Sequence, residues 1–184
     1  MKSITVKDIM VPLSEYATVT KEATLGEAIL ALEKAQKKFD SSRHRHRAIL
    51  VFDENNKIVG KISMLDVLKA LEPKYGEIED KGMLSRYGFS PQFLNSMLEQ
   101  YSLWVGPLKD ICSKAASLKV KNFMYTPSEG EYIEESITLG EAIHQLVMGH
   151  HHSLLVTKGD EILGVLRLSD VFVAICDEIK VCEL

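Results

Sequence analysis

A chain of 184 residues with 46% hydrophobic content has room for one large domain or two small ones, each with a modest core. Its formal net charge of −4 and pI near 5.9 exclude a globally cationic surface for nucleic acid or anionic membrane, so any basic site is local. Cys112, Cys176 and Cys182 are too few and too widely spaced for a disulfide framework or structural zinc, which points to a reducing, cytoplasmic setting.

The start, "MKSITVKDIMVPLSEY", lacks the basic stretch and unbroken apolar run of a secretion signal. An extended segment, "YATVT" from Tyr16, leads to a helix opening at "TLGEAI" from Thr24. There Thr24 and Glu27 form a T-x-x-E capping box, and Leu25, Ala28, Ile29 and Leu32 make the apolar stripe of a helix laid on a sheet. Next come a strand "AILVF" from Ala48, a polar turn "DENNK", a strand "IVGKI" from Ile58 and a helix from Ser63, "SMLDVLKAL". The following stretch, 72–119, reads partly as helix. Ser90 caps it, Pro91 takes the first helical position, and Phe93, Leu94, Met97, Leu98 and Tyr101 share one stripe. Trp104 and Pro107 end that helix before a second helical stretch, "LKDICSKAASL". The same set of elements then returns: "EYIEE", "TLGEAI" from Thr138, "SLLVT", the turn "KGDE", "ILGVL" and a helix "LSDVFVAIC". The longest apolar region, "ILGVLRLSDVFVAIC", carries Arg167 and Asp170 and is too short to span a bilayer, so no membrane insertion is expected.

The chain is therefore written twice. "VKDIM" at Val6 pairs with "VKNFM" at Val120, and the two "TLGEAI" stretches pair at the same offset of 114. Further on the offset falls to 104, where Gly60 matches Gly164 and Asp66 matches Asp170. The second copy has lost about ten residues of chain between its first helix and the next strand, a tolerant place for deletion. Each copy is a β-α-β-β-α unit, and the fold class is α+β. The predicted division is 1–71, a helical insert 72–119, and 120–184.

Three constellations carry chemistry. Gly60, Ser63 and Asp66 form G-x-x-S-x-x-D at a strand-to-helix junction, where free N–H groups and the helix dipole favour an anion. Ser63 suits a phosphate oxygen and Asp66 suits the two hydroxyls of a ribose, although S-x-x-D also reads as simple helix capping. In the second copy Asp170 recurs but Arg167 stands in the serine position; arginine cannot cap, yet binds phosphate bidentately. "RHRHR", Arg43 to Arg47, precedes the first middle strand, and alternation would put the arginines on one side if the strand reaches that far back. Its counterpart is "GHHHS", with His150, His151 and His152. Both read as a phosphate-facing edge or as a solvated loop end, and the histidines also admit a metal. No Walker A, G-x-G-x-x-G, G-x-S-x-G or H-E-x-x-H motif is present, and no catalytic residue is singled out.

With its duplicated unit, "VKDIM" and "VKNFM" at the starts and G-x-x-S-x-x-D at the end of the first copy, the chain resembles a tandem pair of CBS domains, a stand-alone Bateman module. The resemblance covers roughly 1–71 and 118–180. It implies two motifs packed by pseudo-twofold symmetry around two clefts, a regulatory and non-catalytic role, and a disk-like homodimer in many relatives. Its ligands are adenosine compounds, AMP, ADP or ATP first, with NAD and S-adenosylmethionine as alternatives and no required cofactor. By the same resemblance Asp66 and Asp170 contact ribose. Ser63, Arg167, Arg45, Arg47, His151 and His152 contact phosphate, and Val19, Ile62, Ile133 and Leu166 line the adenine pocket. The departures are Arg167, which makes the two clefts inequivalent, and the long insert, read either as helices covering the module or as a partner surface. The expected role is an energy-sensing module signalling to an unknown regulated protein. The competing reading is an interaction scaffold with vestigial clefts.

Overall fold

The computed structural model describes residues 4–39, 43–80, 89–104 and 110–181. Repeat 1 runs α1 (Val6–Ile9), β1 (Val11–Pro12), β2 (Thr18–Thr20), α2 (Leu25–Lys38), β3 (Ala48–Phe52), β4 (Ile58–Ser63) and α3 (Met64–Leu71). The insert contributes α4 (Lys74–Asp80), α5 (Pro91–Gln100) and α6 (Ile111–Ser117). Repeat 2 runs β5 (Tyr132–Glu134), α7 (Leu139–Gly149), β6 (Ser153–Lys158), β7 (Glu161–Arg167) and α8 (Leu168–Val181).

The local signals act as read. Thr24 Oγ1 accepts from the Glu27 amide at 3.2 Å while the Glu27 carboxylate accepts from the Thr24 amide at 2.7 Å, and Thr138 with Glu141 repeats the box at α7. Each satisfies two otherwise orphaned amides of a helix start, a contribution of about 1 kcal/mol per cap. Leu25 and Ala28, like Leu139, Ala142 and Leu146, are buried, whereas Ile29 departs from the predicted stripe at 39% exposure.

Each repeat builds its own sheet. In the first, β2 runs parallel to β3, which pairs antiparallel with β4. In the second, β5, β6 and β7 do the same. The feature that the periodicity does not announce is an exchange of leading segments. β1 leaves repeat 1 and pairs with β7 of repeat 2, Val11 opposite Val165 and Pro12 opposite Gly164. In the reverse direction Tyr125, which begins repeat 2, bridges Lys61 of β4. The hydrogen bonds are reciprocal as well. The Val6 amide donates to Ile137 O at 2.9 Å and the Val120 amide to Ala23 O at 2.8 Å. Val6 is fully buried among Ile133, Leu139 and Leu166, and Val120 among Ala17, Ala28 and Ile49. Neither core closes without the other repeat's leading segment. A third cluster joins the halves, with Tyr16, Phe39 and Leu50 packed on Leu155 and Val165.

The insert has a small core of its own, Ile78, Met97 and Leu103, backed by Tyr75, Phe93 and Tyr101. Ser90 caps α5 through the Phe93 amide at 3.2 Å. Of its predicted stripe, Leu94 and Leu98 are exposed, and Pro107 lies outside the described residues. α6 packs against the start of α2, where Lys114 Nζ also ties down Leu71 O at 2.5 Å.

Candidate functional site

Two strand-to-helix junctions, β4–α3 and β7–α8, carry the matched aspartates, and the structure gives them opposite surroundings. At β4–α3 the Ser63 amide and Oγ both donate to Asp66 Oδ2 at 2.7 Å, and the Asp66 amide donates back to Ser63 Oγ at 3.2 Å. The capping reading is thus realised, yet both bonds to the carboxylate fall on one oxygen. Asp66 is only half-buried, and Oδ1 takes part in neither bond. Gly60, which the sequence offers as room for an approaching group, is approached by the chain itself: a Cβ there would lie 2.8 Å from Met124 Sδ.

Facing this junction is the start of repeat 2. Glu131, 3% exposed, binds Lys61 Nζ and accepts from the Tyr125 hydroxyl at 2.6 Å. Burial raises the Glu131 carboxyl, but donation from Lys61 and Tyr125 outweighs it and holds the group below the usual carboxylate range. The Tyr125 hydroxyl is raised, first by its bond to Glu131, then by burial and by the charge of Glu131, with a smaller contribution from Asp66. The Tyr125 ring is 43% exposed, with Lys61 Nζ 5.3 Å from its centroid. Sequence reading passed over these three residues. Their signal was a polar residue at each position where the other repeat is apolar: Lys61 against Val165, Tyr125 against Val11, Glu131 against Ala17.

At β7–α8 both carboxylate oxygens are engaged. Arg167 binds Asp170 through two parallel bonds, Nε to Oδ2 and Nη2 to Oδ1, the latter 2.6 Å, and its Nη1 donates to His44 O at 2.7 Å. Arg167 and Asp170 are 4% and 8% exposed. His46, also buried, packs between Tyr16 and Phe39 with tilted rings at centroid distances of 4.7 and 4.2 Å, and its Nδ1 lies 3.5 Å from Arg167 Nη1. Burial and then the Arg167 charge push the His46 imidazole down from its ordinary pKa. Arg43 completes the cluster, 3.8 Å from Asp170 Oδ1 and 5.3 Å from the Phe39 centroid.

The remaining predicted residues separate. Strand β3 begins only at Ala48, so the alternation proposed for "RHRHR" does not hold: His46 is buried while His44, Arg45 and Arg47 are exposed. Ile62, Ile133 and Leu166 are buried in the two repeat cores, and Val19 packs against the first of them. His150 ends α7 in the left-handed conformation, φ 51°, and His152 is exposed. The His151 ring lies beside Gly130, 3.9 Å from where its Cβ would be. Gly130 matches Tyr16 at the offset of 114, so one junction has a glycine beside the His151 ring where the other has a phenol ring. Among the described residues no group of three or more His, Cys, Asp or Glu is placed to hold a metal, and no helix is long and apolar enough to cross a membrane. An open groove of about 690 Å³, bordered by Ser14, Thr18, Lys34 and Lys38, ends at Tyr16 and Phe39 and includes neither aspartate.

A duplicated β-α-β-β-α unit, with leading segments exchanged and an aspartate at each matched junction, defines a paired-motif protein. The chain belongs to the CBS domain family, whose pattern matches residues 6–73 and 120–177. No curated protein matches it by sequence. Among solved structures it is similar to the CBS-pair protein CBSX2 from Arabidopsis thaliana, at 19% identity over 97% of this chain and 99% of that one, with a TM-score of 0.59. A structure of CBSX2 in complex with AMP matches at 20% identity over 96% and 98%, with a TM-score of 0.57. The CBS domain of a bacterial CNNM/CorC family Mg2+ transporter in complex with ATP matches at 17% over 94% and 87%, also at 0.57. At these identities the likeness establishes the CBS-pair fold.

Proposed function

We propose that the chain is a regulatory, non-catalytic module that binds an adenosine-containing ligand of the AMP, ADP or ATP class beside Ser63 and Asp66 and passes the bound state to a partner protein. The observation that carries this reading is the Asp66 carboxylate, held by its own helix cap through Oδ2 alone and half-buried at the junction. Oδ1 is then the acceptor for ribose hydroxyls, and the exposed Tyr125 ring is a stacking surface for the base. His151 and His152 offer ring N–H donors, and the amides at the start of α3 the dipolar side, for phosphate. Ser63 already bonds Asp66, so a phosphate contact there competes with the cap, which places the weight on Asp66. That AMP and ATP occupy CBS structures of the same fold supports the ligand class. Signalling requires different ligand affinity in two arrangements of the halves.

Thermal unfolding of nucleotide-free protein with AMP, ADP, ATP, NAD and S-adenosylmethionine tests the reading. At 100 times Kd the ligand adds about 2.7 kcal/mol of stability, and Asp66→Ala removes that gain. No shift with any ligand at millimolar concentration rejects the proposal in favour of the scaffold reading.

The same reading includes a homodimer formed through α3 and α8, where Met64, Leu65, Leu68 and Phe172 are each more than half exposed. These helices follow matched junctions, so one surface repeats the other and a second copy of the chain is the self-complementary occupant. Sedimentation checks it: the unaltered chain runs as a dimer, and Leu65→Asp with Phe172→Asp runs as a monomer.

A further inference from the structure

We infer that the cleft beside Asp170 is closed from within by Arg167, His44 and His46, so that each chain takes one ligand, at the Asp66 cleft. The ligand count rests on the functional reading above; the closure does not.

The closure follows from three differences between the repeats. The connection from α2 to β3 spans 39–47, whereas that from α7 to β6 spans only 150–152. The longer one brings Phe39, Arg43, the His44 carbonyl and the His46 ring onto the β7–α8 junction. Second, both Asp170 oxygens are engaged by the Arg167 fork, while the bonds to Asp66 use only one oxygen. Third, the Tyr16 and His46 rings pack against each other, tilted, where the other junction has Gly130 and the His151 ring. The Tyr16 hydroxyl, buried there, is pushed up to about 12, chiefly by desolvation.

A ligand hydroxyl pair at Asp170 must displace a bidentate, charge-assisted contact and leave the guanidinium uncompensated in a buried site. Hydroxyls are neutral donors and do not replace a cation there. The substitution of serine by arginine between the copies has therefore changed a helix cap into an internal counter-ion. It joins β7 of repeat 2 to the connection of repeat 1 through His44 O.

The test has a ligand-free arm and a ligand arm, both on the full chain. In the first, Arg167→Met is compared with Arg167→Met/Asp170→Leu by thermal unfolding. Closure predicts that the single variant lowers Tm by on the order of 10 °C, through a buried carboxylate left with only the longer Arg43 contact of 3.8 Å, and that the double variant recovers most of it. A single variant that leaves Tm unchanged or raised overturns the proposal, because that is how an open-cleft arginine behaves. If the single variant does not fold, the Arg167 Nε–H resonance of the unaltered protein decides: a slowly exchanging signal supports closure, and one exchanging at the solvent rate overturns it.

In the second arm, AMP or ATP is titrated calorimetrically. One equivalent per chain, abolished by Asp66→Ala and without movement of the Arg167 Nε–H signal, is the expected result. Two equivalents, or binding that survives Asp66→Ala and shifts the Arg167 signal, overturns the single-site count. Absence of all binding rejects the functional reading, while the first arm still decides the closure.

Discussion

Leu166→Ala is expected to cost about 2–5 kcal/mol of stability, towards the upper end, whether or not a nucleotide is present. Leu166 is fully buried in β7, opposite Leu154, in the core that holds Val6 and Ile133. Truncation removes apolar transfer energy and leaves a cavity that strands on either side prevent from collapsing. A leucine lining an open ligand cleft would lose only part of the transfer energy, about 1 kcal/mol, and truncating it would weaken ligand binding. Urea unfolding with and without ligand separates these roles. A loss near 1 kcal/mol, coupled to lost ligand response, would return Leu166 to the pocket.

Gly164→Ala is expected to be destabilising by about 3 kcal/mol, while Gly60→Ala costs only about 1 kcal/mol, although the two glycines occupy matched positions. A Cβ on Gly164 would sit 2.3 Å from Val11 O and 3.1 Å from its carbonyl carbon. Those are backbone atoms of β1, whose Val11 is fully buried between the repeats. Relief requires moving the exchanged strand. At Gly60 the nearest atom is Met124 Sδ at 2.8 Å, the flexible part of a side chain that can turn aside, and the backbone atom Tyr125 O, at 3.2 Å, has to give by only a few tenths of an ångström. Paired denaturant titrations of the two variants provide the check, and equal losses would show that the exchange does not hold β1 against repeat 2.

These two positions also show how far the sequence could be read. Leu166 and Ile62 alternate correctly for strands, which makes them inward-facing, but alternation does not distinguish the inside of a core from the wall of a cleft. The matched glycines marked close approach by another group without saying which. A glycine lacks a side chain for any neighbour, ligand or backbone alike, and the neighbour proved to be the leading segment of the other repeat. The insert was legible where it was local: Ser90 and Pro91 start α5, but which of its apolar residues are covered depended on Ile78 of α4 and on Leu103.

The candidate site divides in the same way. Asp66 and Asp170 were identifiable because repeats can be laid over one another, and so was the exchange of Ser63 for Arg167. What Arg167 does was not identifiable, since an arginine at a helix start serves equally as a phosphate ligand or as a counter-ion. Its partner is three residues away, but its burial comes from His44 and His46 in the other repeat, more than a hundred residues distant in sequence.

By itself, then, the sequence determined the duplication, the order of elements in each copy, the helix caps and the matched aspartates. All of these rest on contacts within a few residues or on comparison of one copy with the other. The tertiary structure alone decided that the leading segments cross over, that one junction holds its carboxylate through a single oxygen among the described residues, and that the other is filled by the longer connection. Those outcomes depend on which distant groups share a space and on how charge is compensated once water has been removed.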